Sequence, residues 1–259
     1  MPAAPLPLLL GLVGTGIGPS LTPALHEEEG RHHGLRVHYQ RVDLAAEADA
    51  IGVLPGLVRA MRTIGFAGFN VTYPCKQAIV PLLDALSDEA RAIGAVNTVV
   101  VEADGRLVGH NTDASGWALG LRRALPAADL GRVVLLGTGG AGAAIAHAAA
   151  RLGTRELVLV DRDPARAQVL AASVGRLHPG LRVEAEVDAA RALRGATGLI
   201  HATPTGMAKQ PGLPLAAELL HPGLWVSEIV YFPLETALLR AARELSLIHI
   251  SEPTRLRRI

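Results

Sequence analysis

Cysteine is almost absent: Cys75 is the only one in 259 residues, so no disulfide can form within the chain. Aromatic side chains make up only 3% of the sequence, too few for the stacking platform on which single-stranded nucleic acid is held. Positive charge has no surplus either. Lys+Arg total 25 against Asp+Glu 24, a net charge of +1, which gives no concentrated field for a phosphate backbone. Nucleic acid is therefore not an expected partner. The first apolar run, at 4–13, is too short to span a bilayer and follows no basic stretch, so it is expected to be a buried strand of a cytoplasmic protein rather than a membrane segment. Ten histidines include no HExxH and no cysteine-paired spacing, so no metal is expected. What the chain does have is 49% hydrophobic residues over a length sufficient for one large or two small cores, which excludes fibrous and wholly disordered readings.

Lysine is scarcer than any other charged residue. Among the 25 basic residues only Lys76 and Lys209 are lysine, the rest being arginine. A lysine amine can give up a proton near neutral pH and an arginine cannot, so Lys76 stands out as a position that needs that chemistry. The three asparagines, Asn70, Asn97 and Asn111, all fall in short polar clusters of one region, a pattern that suggests a site.

Apolar runs alternate with helical segments throughout. Strands are expected at 6–13, 35–43, 66–71, 95–102 and 106–110, the last two flanking an Asp-Gly turn at 104–105 that brings Asn97 and Asn111 to a common edge. Helices are expected from Thr22 to Glu29, Val53 to Thr63 and Gln77 to Leu83. After a helix near 117–125, strands at 133–136, 157–160, 182–186, 198–201 and 224–229 alternate with helices near 140–152, 164–174, 189–193 and 215–220. The fold expected is α/β: an N-terminal α/β unit with a mainly parallel sheet over 1–110, then a Rossmann-like doubly wound unit over 111–245.

The strand at 133–136 runs into Gly137-Thr138-Gly139-Gly140-Ala141-Gly142, a GxGxxG turn opening a helix. In that context Gly137 makes the tight turn, Gly139 lets backbone approach a pyrophosphate, and Gly142 lets the helix lie close to the strand. The pyrophosphate meets the helix N-terminus, where unpaired amides favour an anion. Asp161, 24 residues beyond Gly137 at the end of the next strand, is suited to accept the adenosine ribose hydroxyls, or else to cap a helix. Asp161 and Asp163 repel a 2′-phosphate, so NAD is the expected cofactor. Arg162 between them can stack on adenine or partly neutralise such a phosphate, which keeps NADP possible.

Polar residues cluster at other strand ends. Ser20 and Thr22 can turn two hydroxyls toward a polyhydroxylated ligand, although Thr22-Pro23 suits equally the start of a helix. Asn70, Thr72 and Lys76 place an amide, a hydroxyl and an amine in one bend. Asp113, after Asn111-Thr112, can cap a helix, or hold a substrate hydroxyl and pair with Lys76. Asn97 adds an amide that both donates and accepts.

Together SLTP at 20–23, NVTYPCK at 70–76, GAVNT at 94–98, NTDASG at 111–116, GTGGAG at 137–142, ATPTGM at 202–207 and IVYFPLET at 229–236 resemble the shikimate dehydrogenase family, over nearly all of residues 11–245. The resemblance implies a substrate unit, a Rossmann-like cofactor unit, and reversible oxidation of shikimate to 3-dehydroshikimate. It implies Lys76 and Asp113 as catalytic pair. Ser20, Thr22, Thr72, Asn97, Asn111, Thr112 and Tyr231 would hold a small polyhydroxy carboxylate substrate, and the glycine turn, Asp161, Arg162, Thr203 and Met207 the cofactor. Thr22, where the family usually has serine, and Asp161, where NADP-dependent members have asparagine, resemble the NAD-dependent quinate/shikimate branch, so quinate is an expected second substrate. His201 replaces the asparagine of the family's NATPxGM pattern.

The alternatives are an NADP-dependent, shikimate-specific enzyme and a dinucleotide-binding sensor without catalysis. The resemblance is compatible with a monomer or a homodimer. Residues 246–259 do not continue the family's pattern. They resemble a translated sequencing adapter in place of the family's last helices, an artefactual tail that is set aside in reading the fold.

Overall fold

The computed structural model describes residues 7–245, 247 and 249–251. The chain divides into two compact units, Met1–Thr112 and Asp113–Ile259.

Unit 1 runs β1 (Leu8–Gly14), α1 (Thr22–His32), β2 (Val37–Asp43), α2 (Leu54–Ile64), β3 (Phe66–Val71), α3 (Cys75–Ala78), β4 (Ala85–Leu86), α4 (Asp88–Ile93), β5 (Thr98–Val101) and β6 (Leu107–His110). Its described strands form a sheet in the order β2-β1-β3-β5-β6-β4. Strand β1 is parallel to β2 and β3, β4 is parallel to β6, and β5 is antiparallel to both β3 and β6. Helix α2 buries Leu54, Val58 and Met61, spaced to share one face, into a core with Val13, Phe66, Phe69 and Val71. Each such side chain, taken fully from water, contributes roughly 1.5–3 kcal/mol.

Local chemistry explains where unit 1 departs from the sequence expectation. The helix expected over 77–83 stops at Ala78 and resumes as a 3-10 turn at Val80–Leu82. Pro81 lacks an N–H and its ring crowds the carbonyl four residues back, so a continuous α-helix is disfavoured. Thr22 does not cap α1. It lies inside the helix, Leu21 takes the N-cap position without a side-chain bond, and the Ser20 hydroxyl accepts from the Thr22 amide at 3.2 Å. Strand β5 begins at Thr98 rather than 95, and ahead of it Val96 N–H donates to the Lys76 carbonyl instead of to a strand.

Unit 2 runs α5 (Asp113–Ala124), β7 (Arg132–Leu136), α6 (Gly140–Arg151), β8 (Glu156–Val160), α7 (Pro164–Leu177), β9 (Arg182–Glu186), α8 (Ala189–Ala192), β10 (Gly198–His201), β11 (Trp225–Glu228), α9 (Ala237–Glu244) and β12 (His249–Ser251). Every strand pair is parallel, in the order β12-β11-β10-β7-β8-β9. Counted from β7 this is the doubly wound order, with its switch point between β7 and β10. Strands β7, β8 and β10 are apolar almost throughout because both faces of a parallel sheet are covered. Helix α6 is buried from Gly142 to Ala149, and its alanines permit that close packing without loss of side-chain entropy. Asp163, Asp188 and Thr236 cap α7, α8 and α9 by accepting from first-turn amides, each worth typically ~1 kcal/mol.

One expectation is corrected in unit 2. The helix expected over 215–220 reduces to a 3-10 turn at Ala217–Leu219, since Pro214 and Pro222 leave too short a stretch to nucleate a helix. Within 246–259, Leu247 is buried in the core, and β12 extends the sheet beside β11. The open backbone groups of a sheet edge can pair with any extended segment, whatever its sequence. Ser246, Ile248 and residues 252–259 lie outside the described residues. Among the described residues no helix is long and apolar enough to cross a membrane, and no group of three or more His, Cys, Asp or Glu could hold a metal ion.

Candidate active site

The mixed pairing of unit 1 gathers its polar strand ends. Parallel β1 and β3 both finish at one edge of the sheet, and antiparallel β5 starts there, with Thr98 opposite Asn70. Strand β6 returns to the same edge, with His110 opposite Thr98. Ser20 and Thr22 beyond β1, Thr72 and Lys76 beyond β3, Asn97 before β5, and Asn111 and Thr112 after β6 therefore share that edge.

A chain of hydrogen bonds runs along it. The Tyr39 hydroxyl donates to Asn70 Oδ1 at 2.6 Å, and Asn70 Nδ2 donates to Thr98 Oγ1 at 3.1 Å. Thr98 Oγ1 donates to Asn97 Oδ1 at 2.9 Å, which also accepts from Thr112 N–H at 3.0 Å. Asn97 Nδ2 reaches Thr112 Oγ1 at 2.9 Å. Burial pushes the Tyr39 phenol well above its ordinary pKa, so it remains a donor at all moderate pH values. Asn111 is buried, with Nδ2 donating to Ala95 O at 2.9 Å, so at least part of its role is to hold the chain before β5. The Ser20 hydroxyl donates to Thr22 Oγ1 at 2.9 Å, which ties the two expected ligand hydroxyls together. Lys76 lies on α3, half-buried, and its own carbonyl accepts from Val96. Asp113 is the first residue of α5 and opens unit 2.

In unit 2 the expected nucleotide residues follow the carboxyl ends of parallel strands: the glycine turn after β7, Asp161 and Arg162 after β8, and Thr203 and Met207 after β10; Tyr231, expected to hold substrate, follows β11. Gly137 has φ +95°, and a Cβ there would come within 2.8 Å of Ala202 O. A Cβ on Gly142 would overlap the Gly137 carbonyl oxygen. Both positions therefore need glycine for α6 to start where it does. Gly139, the α6 N-cap, offers no side-chain oxygen, so the first-turn amides keep their capacity for an anion.

Asp161 Oδ2 accepts from Thr138 N–H at 2.8 Å and Thr138 Oγ1 at 2.6 Å, and Oδ1 accepts from Asp163 N–H at 3.0 Å. Burial alone would raise its pKa, but the Thr138 hydroxyl, the Asp163 and Thr138 amides and the Arg166 charge outweigh it and hold the carboxyl below its usual range. The capping alternative for Asp161 falls to Asp163 instead. Met207 and Tyr231 are exposed.

Three contributors escape the sequence reading. Tyr39, on β2, anchors the hydrogen-bond chain through Asn70, and nothing in its local sequence marks it. Arg166, one turn into α7, brings its guanidinium to 3.5 Å from where a Gly139 Cβ would sit. Its signal was its proximity to Asp161 along the chain. Glu228 is fully buried beneath the β10 and β11 ends and bonded to His201 at 2.8 Å.

A doubly wound unit with a glycine turn and a carboxylate after its second strand defines a dinucleotide-binding α/β protein. Comparison with known proteins narrows the class. Residues 12–99 match the family model of the shikimate dehydrogenase substrate binding domain, and residues 132–220 match that of the coenzyme F420-dependent NADP oxidoreductases. The chain is 56% identical to the shikimate dehydrogenase (NADP(+)) of Streptomyces avermitilis over 92% of its own length and 82% of that protein. It is 44% identical to the quinate/shikimate dehydrogenase (NAD(+)) of Corynebacterium efficiens, over 92% of this chain and 84% of the relative. Among solved structures, quinate dehydrogenase from Corynebacterium glutamicum in complex with NAD matches with TM-score 0.82 and 41% identity, covering 94% of this chain and 87% of that one. The chain belongs to the shikimate dehydrogenase family of oxidoreductases.

Proposed function

We propose that the chain catalyses NAD-dependent oxidation of shikimate to 3-dehydroshikimate, and of quinate to 3-dehydroquinate, in both directions. The observation that carries this reading is the meeting, at one end of the unit 1 sheet, of the segments that carry Thr72, Lys76, Asn97 and Thr112, with Asn97 and Thr112 bonded to each other. That set suits a ring bearing several hydroxyls and a carboxylate. Hydroxyls and amides both donate and accept, so they can match each alcohol in turn, while an amine complements negative charge.

Lys76 takes the proton from the reacting ring hydroxyl during oxidation and returns it to the carbonyl oxygen during reduction. Asp113 orients that hydroxyl and the amine. Ser20 and Thr22 bind the substrate carboxylate, and Thr72, Asn97 and Thr112 hold the remaining hydroxyls, with Asn111 and Tyr231 completing the set. A bound nicotinamide dinucleotide supplies the hydride acceptor, which is the part of the chemistry no side chain provides. The α6 N-terminus and glycine turn, from Gly137 through Thr138, Gly139, Gly140 and Ala141 to Gly142, hold its pyrophosphate, while Thr203 and Met207 flank the nicotinamide end. Asp161 favours a free ribose hydroxyl pair and opposes a 2′-phosphate, which supports NAD over NADP, and Arg162 lies over the adenine.

The test is turnover of shikimate and quinate with NAD and with NADP, followed by absorbance of the reduced cofactor. Lys76→Met is expected to lower kcat by about 10²-fold or more with a smaller change in KM. A wild-type kcat in that variant overturns the proton-transfer role. A strong preference for NADP overturns the role given to Asp161.

A further inference from the structure

The best-isolated polar group in unit 2 is a buried relay beneath the switch point. His201 ends β10 and pairs in register with Glu228 at the end of β11, and both are 0% exposed. Glu228 Oε1 accepts from Val230 N–H at 3.0 Å and meets His201 Nδ1 at 2.8 Å. Glu228 Oε2 accepts from the Thr236 hydroxyl at 2.8 Å, while Thr236 Oγ1 itself takes the Leu239 N–H as the cap of α9. All those contacts make Glu228 the acceptor, so His201 Nδ1 carries a hydrogen. The other ring nitrogen, Nε2, meets Thr203 Oγ1 at 2.5 Å, and that oxygen also accepts from Thr205 N–H at 3.3 Å.

The far end of this relay lies against the glycine turn. A Cβ on Gly137 would stand 2.9 Å from the Thr203 methyl, and one on Gly206 would stand 3.6 Å from Thr236 Cβ. The loop after β10 is thus held from below by His201 and Thr236, and its upper side is the floor of the turn. An asparagine at position 201 can present a donor near the place of Nδ1 but is too short to replace Nε2. Only the ring spans Glu228 and Thr203 together.

We propose that His201 is a positioning residue for the dinucleotide site: braced by Glu228, its ring fixes the Thr203 hydroxyl and thereby the loop on which the Gly137 turn rests. This deepens the dinucleotide reading given above and rests on it. His201 touches neither substrate nor cofactor in this role, so its effect is on affinity rather than on the chemical step.

The experiment is calorimetric titration of the full chain with NAD, alongside a thermal melt, for wild type, His201→Asn, Thr203→Val and the double variant. His201→Asn keeps a donor to Glu228, so its Tm is expected to fall by only a few degrees while its Kd for NAD rises by about tenfold, the scale of one lost buried hydrogen bond to a charged or polarised group. Thr203→Val leaves the His201–Glu228 pair intact and also weakens binding. Adding His201→Asn to Thr203→Val is expected to change Kd no further, because both remove the same contact. An unchanged Kd in His201→Asn, or additive losses in the double variant, overturns the proposal while leaving the dinucleotide reading in place. A wild-type chain that binds neither NAD nor NADP overturns that reading, and this proposal with it.

Discussion

One oxygen of Asp161 accepts both the backbone N–H and the hydroxyl of Thr138, at 2.8 and 2.6 Å, so the end of β8 is bonded to the middle of the glycine turn after β7. The carboxylate therefore organises the crevice as well as giving it negative charge. Its sequence position suggests contact with a ligand or the cap of a helix, and neither includes this bond to the turn.

Replacing Asp161 by Asn removes the charge that opposes a 2′-phosphate, with Arg162 and Arg166 nearby in sequence to receive one. The ratio of kcat/KM for NADP over NAD is expected to rise by about tenfold, the scale of one short-range charge interaction near a surface. Steady-state rates with both cofactors check this. The same group also sets an acid limit. Its folded pKa is depressed, so its contribution to stability is complete above the ordinary carboxylate value near ~3.9 and is lost as pH falls through the folded value. Wild type is expected to lose stability over that acid window more steeply than Asp161→Asn, as read by Tm against pH.

Gly142→Ala and Gly139→Ala separate folding from binding. At 142 the new methyl meets the backbone oxygen of Gly137, which cannot swing away, and a loss of about 1–3 kcal/mol is expected. At 139 the nearest atom is the flexible end of Arg166 at 3.5 Å, so the melt is expected to change little while NAD affinity falls. Equal melts for the two variants would contradict the packing argument.

Thr22→Ser keeps the hydroxyl that meets Ser20 and removes a methyl. Quinate kcat/KM is expected to fall about tenfold relative to shikimate, the discrimination one methyl can supply. If the two substrates keep their ratio, the methyl does not shape the pocket.

Tyr39→Phe leaves Asn70 Oδ1 without its 2.6 Å donor. A loss of about 1 kcal/mol is expected, together with a raised KM for shikimate as Thr98, Asn97 and Thr112 loosen in turn. A melt lowered with KM unchanged would make the chain of bonds purely structural.

Most of the local structure and the chemistry on offer was legible along the chain. Apolar runs located β8 at Glu156–Val160 and β10 at Gly198–His201, because strand burial is written in consecutive apolar residues. The scarcity of lysine and asparagine singled out Lys76, Asn70, Asn97 and Asn111, and GTGGAG singled out the nucleotide turn. Tertiary structure decided the rest, because hydrogen bonds across a sheet depend on strand order, which no local pattern encodes. It brought Tyr39 to Asn70 across 31 residues of chain, and gave the capping role to Asp163 and a bracing role to Asp161. It also set β12 beside β11, since an open parallel edge accepts an extended segment through its backbone and not through its side chains.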